Sequence, residues 1–217
     1  MIEKPFEKVY MVKNYSNAYV VEFEDHLVII DTGMDKKAKE LIEAVEKTGK
    51  EPRAVLITHA HLDHIAGLAK LKEKYPNIKI VVGEEDRAAV EGKEYLLPKG
   101  VKGFFFRLLM PFMYKKVKVD ETLKEGYEQF KVVKTPGHTK GSVCFLLNKL
   151  LFCGDLIISK ENGLDIPPQE FNFDRSQLIE SIKKISELDF VSLLSGHGEV
   201  VKEAKEKVKS FLSSLQA

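Results

Sequence analysis

Apolar positions recur along this chain with two periods, and the alternation between them lays out most of its elements. Residues 6–12, 17–23 and 26–30 alternate or run apolar and read as three successive strands. Turn residues separate them at 14–16 and at Glu24-Asp25. The third strand stops at Asp31-Thr32-Gly33. A helix follows: Asp35 is its expected N-cap, Ala38, Leu41, Ile42 and Val45 share one face, and Gly49 closes it. Next come a β-branched run at 54–58 and a helical pattern through Ile65, Leu68, Ala69 and Leu71 to about Tyr75, ended by Pro76. Gly67 interrupts that pattern. A glycine there costs about 1 kcal/mol relative to alanine, so a close backbone approach is expected. A short strand at 78–82 and a short acidic helix at 84–90 complete this half.

The second half repeats the plan. Residues 129–135 alternate as a strand, and 141–147 with 150–153 read as a hairpin around Asn148-Lys149. Asp174 with Gln177 has the form of a capping box for a helix with Leu178, Ile179, Ile182, Ile185 and Leu188 on its face. Residues 190–194 form another strand. A last helix sets Val201, Ala204, Val208, Phe211, Leu212 and Leu215 on one side. Two sheets face to face with helices outside both satisfy every apolar face. The expected fold class is therefore α/β (α+β), a four-layered αββα sandwich.

Composition narrows the class. The chain has 217 residues, 44% hydrophobic and 31% charged, which fits one soluble domain over 1–217. A net charge of +1 gives no field for nucleic acid or an anionic membrane, so no nucleic-acid partner is expected. No apolar run is long enough for a transmembrane segment, and the first residues lack a secretory pattern. Cys144 and Cys153 lie in apolar runs and read as small buried hydrophobes in a reducing, cytoplasmic setting. Abundant Lys and Glu without Trp match a thermophile composition.

The chemistry concentrates in Thr58-His59-Ala60-His61-Leu62-Asp63-His64, which holds half of the six histidines. His59 and His61 stand two apart in extended chain and point to one side. Asp63 and His64 fall at the turn into a helix and face back to the same point. Neutral imidazoles with carboxylates are a ligand set for zinc, iron or manganese. The plain alternative is a histidine-rich surface loop; the run is internal and closes a buried-type strand, which favours metal. Further candidates sit at strand ends beside glycines: His138 in Pro136-Gly137-His138-Thr139, Asp155 after Gly154, and His197 in Gly196-His197-Gly198. Each is weak alone, since such glycine loops are usually turns. His26, between strands, reads as a solvated turn residue.

Together, Asp31-Thr32-Gly33, the 58–64 run, Pro136-Gly137-His138-Thr139, Gly154-Asp155 and Gly196-His197 resemble the metallo-β-lactamase-fold hydrolases, in pattern nearest the glyoxalase II-like branch. The resemblance spans nearly the whole chain except about 92–120. It implies two divalent metal ions, zinc first, with iron or manganese as alternatives. His59, His61 and His138 would hold one ion, Asp63, His64 and His197 the other, and Asp155 would bridge them. Asp63 and Asp155 are the expected catalytic carboxylates. Asp31, Thr58 and Thr139 are candidates to orient imidazoles through the other ring nitrogen; ordinary strand-end capping is the alternative for these three.

The implied function is hydrolysis of an ester or thioester, a small-molecule substrate, by a hydroxide shared between two ions. The alternatives are a phosphodiesterase on the same site, an iron-dependent persulfide dioxygenase, and a silent metal-binding protein. The glutathione-binding helical region of glyoxalase II has no counterpart in residues 198–217. Ile158 stands where the lactonases of the superfamily carry tyrosine. The nuclease branch usually adds a large domain, and the flavin-linked diiron reductases usually have Glu at the place of His61. An inserted segment at about 95–119 has no acidic residue but six Lys and Arg among aromatic and aliphatic side chains. It reads as a lid, a membrane-interface segment, or packing on its own domain or on a second copy, in a homodimer through 95–119.

Overall fold

The computed structural model describes residues 1–94, 96, 109–110 and 112–216. The first sheet has seven strands in sequence order: β1 Ile2–Phe6, β2 Val9–Lys13, β3 Asn17–Glu22, β4 Leu27–Ile30, β5 Pro52–Leu56, β6 Lys79–Val82 and β7 Glu121–Thr122. Strands β1 to β4 are antiparallel hairpins, and β4 to β7 run parallel. The second sheet is ordered β14-β11-β10-β9-β8, from β8 Gly126–Tyr127, β9 Phe130–Lys134, β10 Val143–Leu147, β11 Leu150–Gly154 and β14 Ser192–Ser195. Only the β11–β14 pair in it is parallel. A separate hairpin joins β12 Ile158–Lys160 to β13 Gly163–Asp165.

Strand alternation builds the expected four layers. In β4, Val28 and Ile30 face the second sheet while Leu27 and Ile29 face helices; in β5, Ala54 and Leu56 face inward and Val55 outward. The central layer meets Phe130, Phe145, Phe152 and Leu194 of the second sheet. The first outer layer is α1 Lys39–Glu46, α2 Leu62–Ile65, α3 Leu68–Lys74 and α4 Arg87–Val90. The second is α5 Arg175–Ser186 and α6 Ala204–Gln216, packed on Val133, Cys144, Leu151, Cys153 and Leu193. Both cysteines are free and buried, as their apolar surroundings suggest.

Several local expectations need correction. Residues 6–12 are not one strand: the chain turns at Glu7-Lys8 and pairs β1 with β2. Asp35 accepts hydrogen bonds from the backbone of Lys37 and Lys39, but Ala38 is left-handed (φ 47°), so α1 begins only at Lys39. The helical pattern after the histidines breaks into α2 and α3. At Gly67 a Cβ would lie 3.1 Å from Thr32 Cβ and carbonyl oxygen, the close approach its sequence context suggests. Asp174 caps α5 by accepting from the Ser176 and Gln177 N–H groups, but the return half of a capping box is not made: the Gln177 amide donates to Asp174 Oδ2, and the Asp174 N–H donates to Gly137 O. His26 is not solvated: its side chain is 12% exposed, stacks on Phe23, and bonds Asp25 and Glu128.

The 95–119 expectation falls largely outside the described residues, at Tyr95, 97–108 and Pro111. Its described remainder joins the first outer layer. Met110, Tyr114 and Val119 are buried there, and the Tyr114 hydroxyl donates to Val90 O at 2.7 Å. Among the described residues no helix is long and apolar enough to cross a membrane.

Candidate metal centre

The carboxyl ends of β4, β5, β11 and β14 and the loop after β9 meet at one rim of the sandwich. There the chain gathers three overlapping groups of possible metal donors: His59, His61 and His138; His59, His64 and Asp155; and Asp63, His64 and His197. Within each group the donor atoms all lie within 4.8 Å of one another. All seven site residues expected from the sequence are therefore brought together.

Glycines make this convergence possible at two positions. Gly154 is left-handed (φ +51°), and a Cβ there would strike Thr58 Oγ1 at 2.5 Å. A Cβ on Gly196 would lie 2.2 Å from Asp155 Oδ1 and 2.7 Å from His64 Cε1. The backbone of Gly196 donates to Gly154 O at 2.7 Å, which ties the Asp155 loop to the His197 loop.

Four of the five imidazoles have their outward nitrogen engaged. His64 Nδ1 lies 2.8 Å from Asp31 Oδ2, His138 Nδ1 2.8 Å from Asn172 Oδ1, His197 Nδ1 3.0 Å from Tyr15 O, and His59 Nδ1 3.1 Å from Thr58 Oγ1. This leaves His59 Nε2, His64 Nε2, His138 Nε2 and His197 Nε2 for the centre, with His61 Nδ1 2.8 Å from His138 Nε2. Asp31 and Thr58 thus orient imidazoles, but Thr139 does not. Its hydroxyl bonds Asp86 Oδ2 and Ser142 Oγ instead. Asn172 and Tyr15 were not legible as partners: their contacts cross from other loops, and neither carries a motif.

Among the described residues, the buried side-chain polar atoms without a hydrogen-bond partner are His59 Nε2, His64 Nε2, Asp155 Oδ1 and Tyr75 Oη. Three of them belong to this centre. An unpartnered buried polar group costs about 1–3 kcal/mol, so three together in one place fit donors shaped for a cation. Nitrogen and carboxylate donors in this number suit divalent zinc, iron or manganese.

The electrostatics are split. Burial, with neighbouring imidazoles, pushes His59 and His138 down and His61 down to about 3, so these are neutral near pH 7. Burial also opposes charge on His64, but Asp155, Asp63 and Asp31 outweigh it and raise it well above the usual value. His197 is lifted to about 9 against burial by its contacts with Asp155 and Asp63. Burial works against both carboxylates as well; His64 and His197 nevertheless hold Asp155 well below the carboxylate range and Asp63 below it. His59, His64, His138 and Asp155 are buried, whereas His61, Asp63 and His197 are half-buried and form the open side.

Comparison with known proteins agrees with this geometry. The sequence profile of the metallo-beta-lactamase superfamily matches residues 12–197. A hydroxyacylglutathione hydrolase of Francisella tularensis subsp. novicida (strain U112) is 32% identical over 180 residues, covering 82% of this chain and 60% of that protein. The crystal structure of BLEG-1 B3 metallo-beta-lactamase superposes with a TM-score of 0.70 at 26% identity, covering 88% of this chain and 90% of that one. The structure of TTHA1623 in a di-iron-bound form gives a TM-score of 0.68 at 25% identity, covering 90% and 94%.

Proposed function

Since the chain belongs to the metallo-beta-lactamase superfamily, we propose that it is a metal-dependent hydrolase that cleaves an ester or thioester. The observation that carries this reading is the set of unpartnered donor atoms at His59, His64 and Asp155, buried together at one rim. His59, His61 and His138 would hold one divalent ion, Asp63, His64 and His197 a second, and Asp155 would be shared. Bound there, such ions supply water deprotonated near neutral pH and a Lewis acid for an acyl oxygen. We assign zinc first; iron is the alternative suggested by the di-iron form of TTHA1623.

The remaining chemistry belongs to the chain's own groups. Asp63 Oδ2 lies 3.2 Å from His197 Nε2 on the open side, where it is placed to accept a hydrogen bond from the attacking water and fix its direction. Asp31, Thr58 and Asn172 hold the imidazoles so that little reorganisation is needed as charge develops. One exposed ring stands at the open side: Tyr15 is edge-on to His197, with ring centroids 5.8 Å apart. A ring at that edge offers contact to an apolar part of the substrate, which an acyl chain provides. This chain spans 60% of the Francisella hydroxyacylglutathione hydrolase, so glutathione specificity is not carried over.

The test is a substrate panel on metal-loaded protein: aryl ester and aryl thioester against bis-aryl phosphate, with oxygen uptake on a persulfide measured in parallel. Turnover of the acyl substrates is expected. Preference for the phosphodiester, or oxygen uptake without hydrolysis, overturns the assignment.

A further inference from the structure

Asp86 is fully buried, outside the donor set, and accepts three hydrogen bonds. Its Oδ2 takes the Ala60 N–H at 2.9 Å and the Thr139 hydroxyl at 2.7 Å; its Oδ1 takes the Gly141 N–H at 2.8 Å. Ala60 stands between His59 and His61, and Thr139 follows His138. One side chain, at the end of the Glu84–Asp86 turn, therefore joins the two loops that carry His59, His61 and His138. Its hydrogen bonds end beside His59, His61 and His138 in the chain, and among the described residues none ends on or next to Asp63, His64 or His197.

The surroundings are built around that carboxylate. A Cβ on Gly83 would lie 2.2 Å from Gly141 O, and one on Gly141 would lie 2.7 Å from Asp86 Oδ1. The two loops thus meet glycine against glycine, with no slack between them. All three partners are donors, which only an ionised carboxylate satisfies fully. An asparagine would turn its NH2 toward at least one N–H or O–H. Burying a carboxylate is costly unless it is fully hydrogen-bonded, so its presence here calls for a reason beyond filling space.

We propose that Asp86 is a positioning residue that sets the spacing of His59, His61 and His138, and so governs one of the two ion sites and not the other. This rests on the two-ion reading above. Groups that orient metal-binding side chains are typically worth about 10–100-fold in metal affinity, and Asp86 acts on three such side chains at once.

The test is zinc binding to the full chain, by metal analysis and competition with a chromophoric chelator, for the wild type, Asp86→Ala, Asp86→Asn and Thr139→Val, with absorption spectra of the cobalt-loaded forms. The wild type is expected to bind two ions. Asp86→Ala should keep one at wild-type affinity and weaken the other about 10–100-fold, with a changed cobalt spectrum. Asp86→Asn and Thr139→Val should weaken the same ion by less, and they carry the test if Asp86→Ala fails to fold. Variants that bind both ions as the wild type does, or that lose both equally, overturn the role of Asp86. A wild type that binds no ion overturns the two-ion reading itself.

Discussion

Oδ2 of Asp31 lies 2.8 Å from His64 Nδ1 and accepts the Thr58 hydroxyl at 2.7 Å, so one buried carboxylate oxygen ties the ends of β4 and β5 to an imidazole of the centre. Its other oxygen takes the Thr58 N–H at 2.8 Å. Asp31 does this from a left-handed backbone, φ 57°, which the Thr32 contacts to His64 O hold in place. Asp31→Ala leaves His64 unaligned and the Thr58 donors unpaired. Zinc affinity should fall about 10–100-fold, measured by chelator competition; unchanged affinity would show that His64 is oriented by packing alone.

Asn172 supports His138 in the same manner from a different loop, with its own amide donating to Pro167 O at 2.8 Å. Asn172→Ala should lower zinc affinity while leaving the fold intact by circular dichroism. Asn172→Asp still presents an oxygen to Nδ1 and should recover more of the affinity than alanine. Equal behaviour of the two variants would sink this role.

Gly196 supplies no donor, yet its substitution should be as damaging as losing one. A Cβ 2.2 Å from Asp155 Oδ1 and 2.7 Å from His64 Cε1 must displace one of them. Gly196→Ala should lose hydrolytic activity and at least one ion per chain. Full metal content with normal turnover would mean that the rim relaxes more easily than its packing implies.

The metal-free protein should show a stability maximum at about pH 6.5. Unfolded histidines titrate near about 6.5. Below that, the unfolded chain binds protons at His59, His61 and His138 that the folded chain refuses, because burial lowers all three. Stability therefore falls as pH drops. Above it, the folded chain retains protons on His64, raised well above its usual value, and on His197, raised to about 9. Their contribution is present below the unfolded value and is lost as pH rises through the folded one. Zinc replaces both protons, so the alkaline decline should vanish in loaded protein. Melting temperatures of both forms across this range are the check; a metal-free protein that gains stability up to pH 9 contradicts the assignment.

The layers, and the candidate donors that meet at the rim, were legible in the sequence because each rests on local pattern: alternation in 27–30, the β-branched run before His59, and glycines beside His138, Asp155 and His197. What was not legible depends on contacts between distant loops. Asp86 sits in the stretch at 84–90 that reads only as a short acidic helix, and the fold alone buries it beneath Ala60 and Gly141. Thr139 follows a donor histidine but turns to that carboxylate. The β12–β13 hairpin is short and largely polar, so neither period marks it. His26 occupies a turn, yet Glu128 from the second sheet closes over it at 2.7 Å.

That last contact gives a control. His26→Ala removes hydrogen bonds to two carboxylates, Asp25 and Glu128, and a ring stacked on Phe23 at 5.0 Å. It should cost about 1–3 kcal/mol of stability by denaturant unfolding and leave zinc stoichiometry unchanged. A loss of metal would show that this cluster communicates with the rim.

The most direct test of the centre is equilibrium dialysis of purified wild-type protein against zinc, with His61→Ala and Asp155→Ala in parallel. Two ions per wild-type chain, with fewer bound in each variant and no turnover of an aryl thioester by either, is the expected result. Zinc uptake by the wild type no greater than that of the two variants would contradict a metal centre built from these loops.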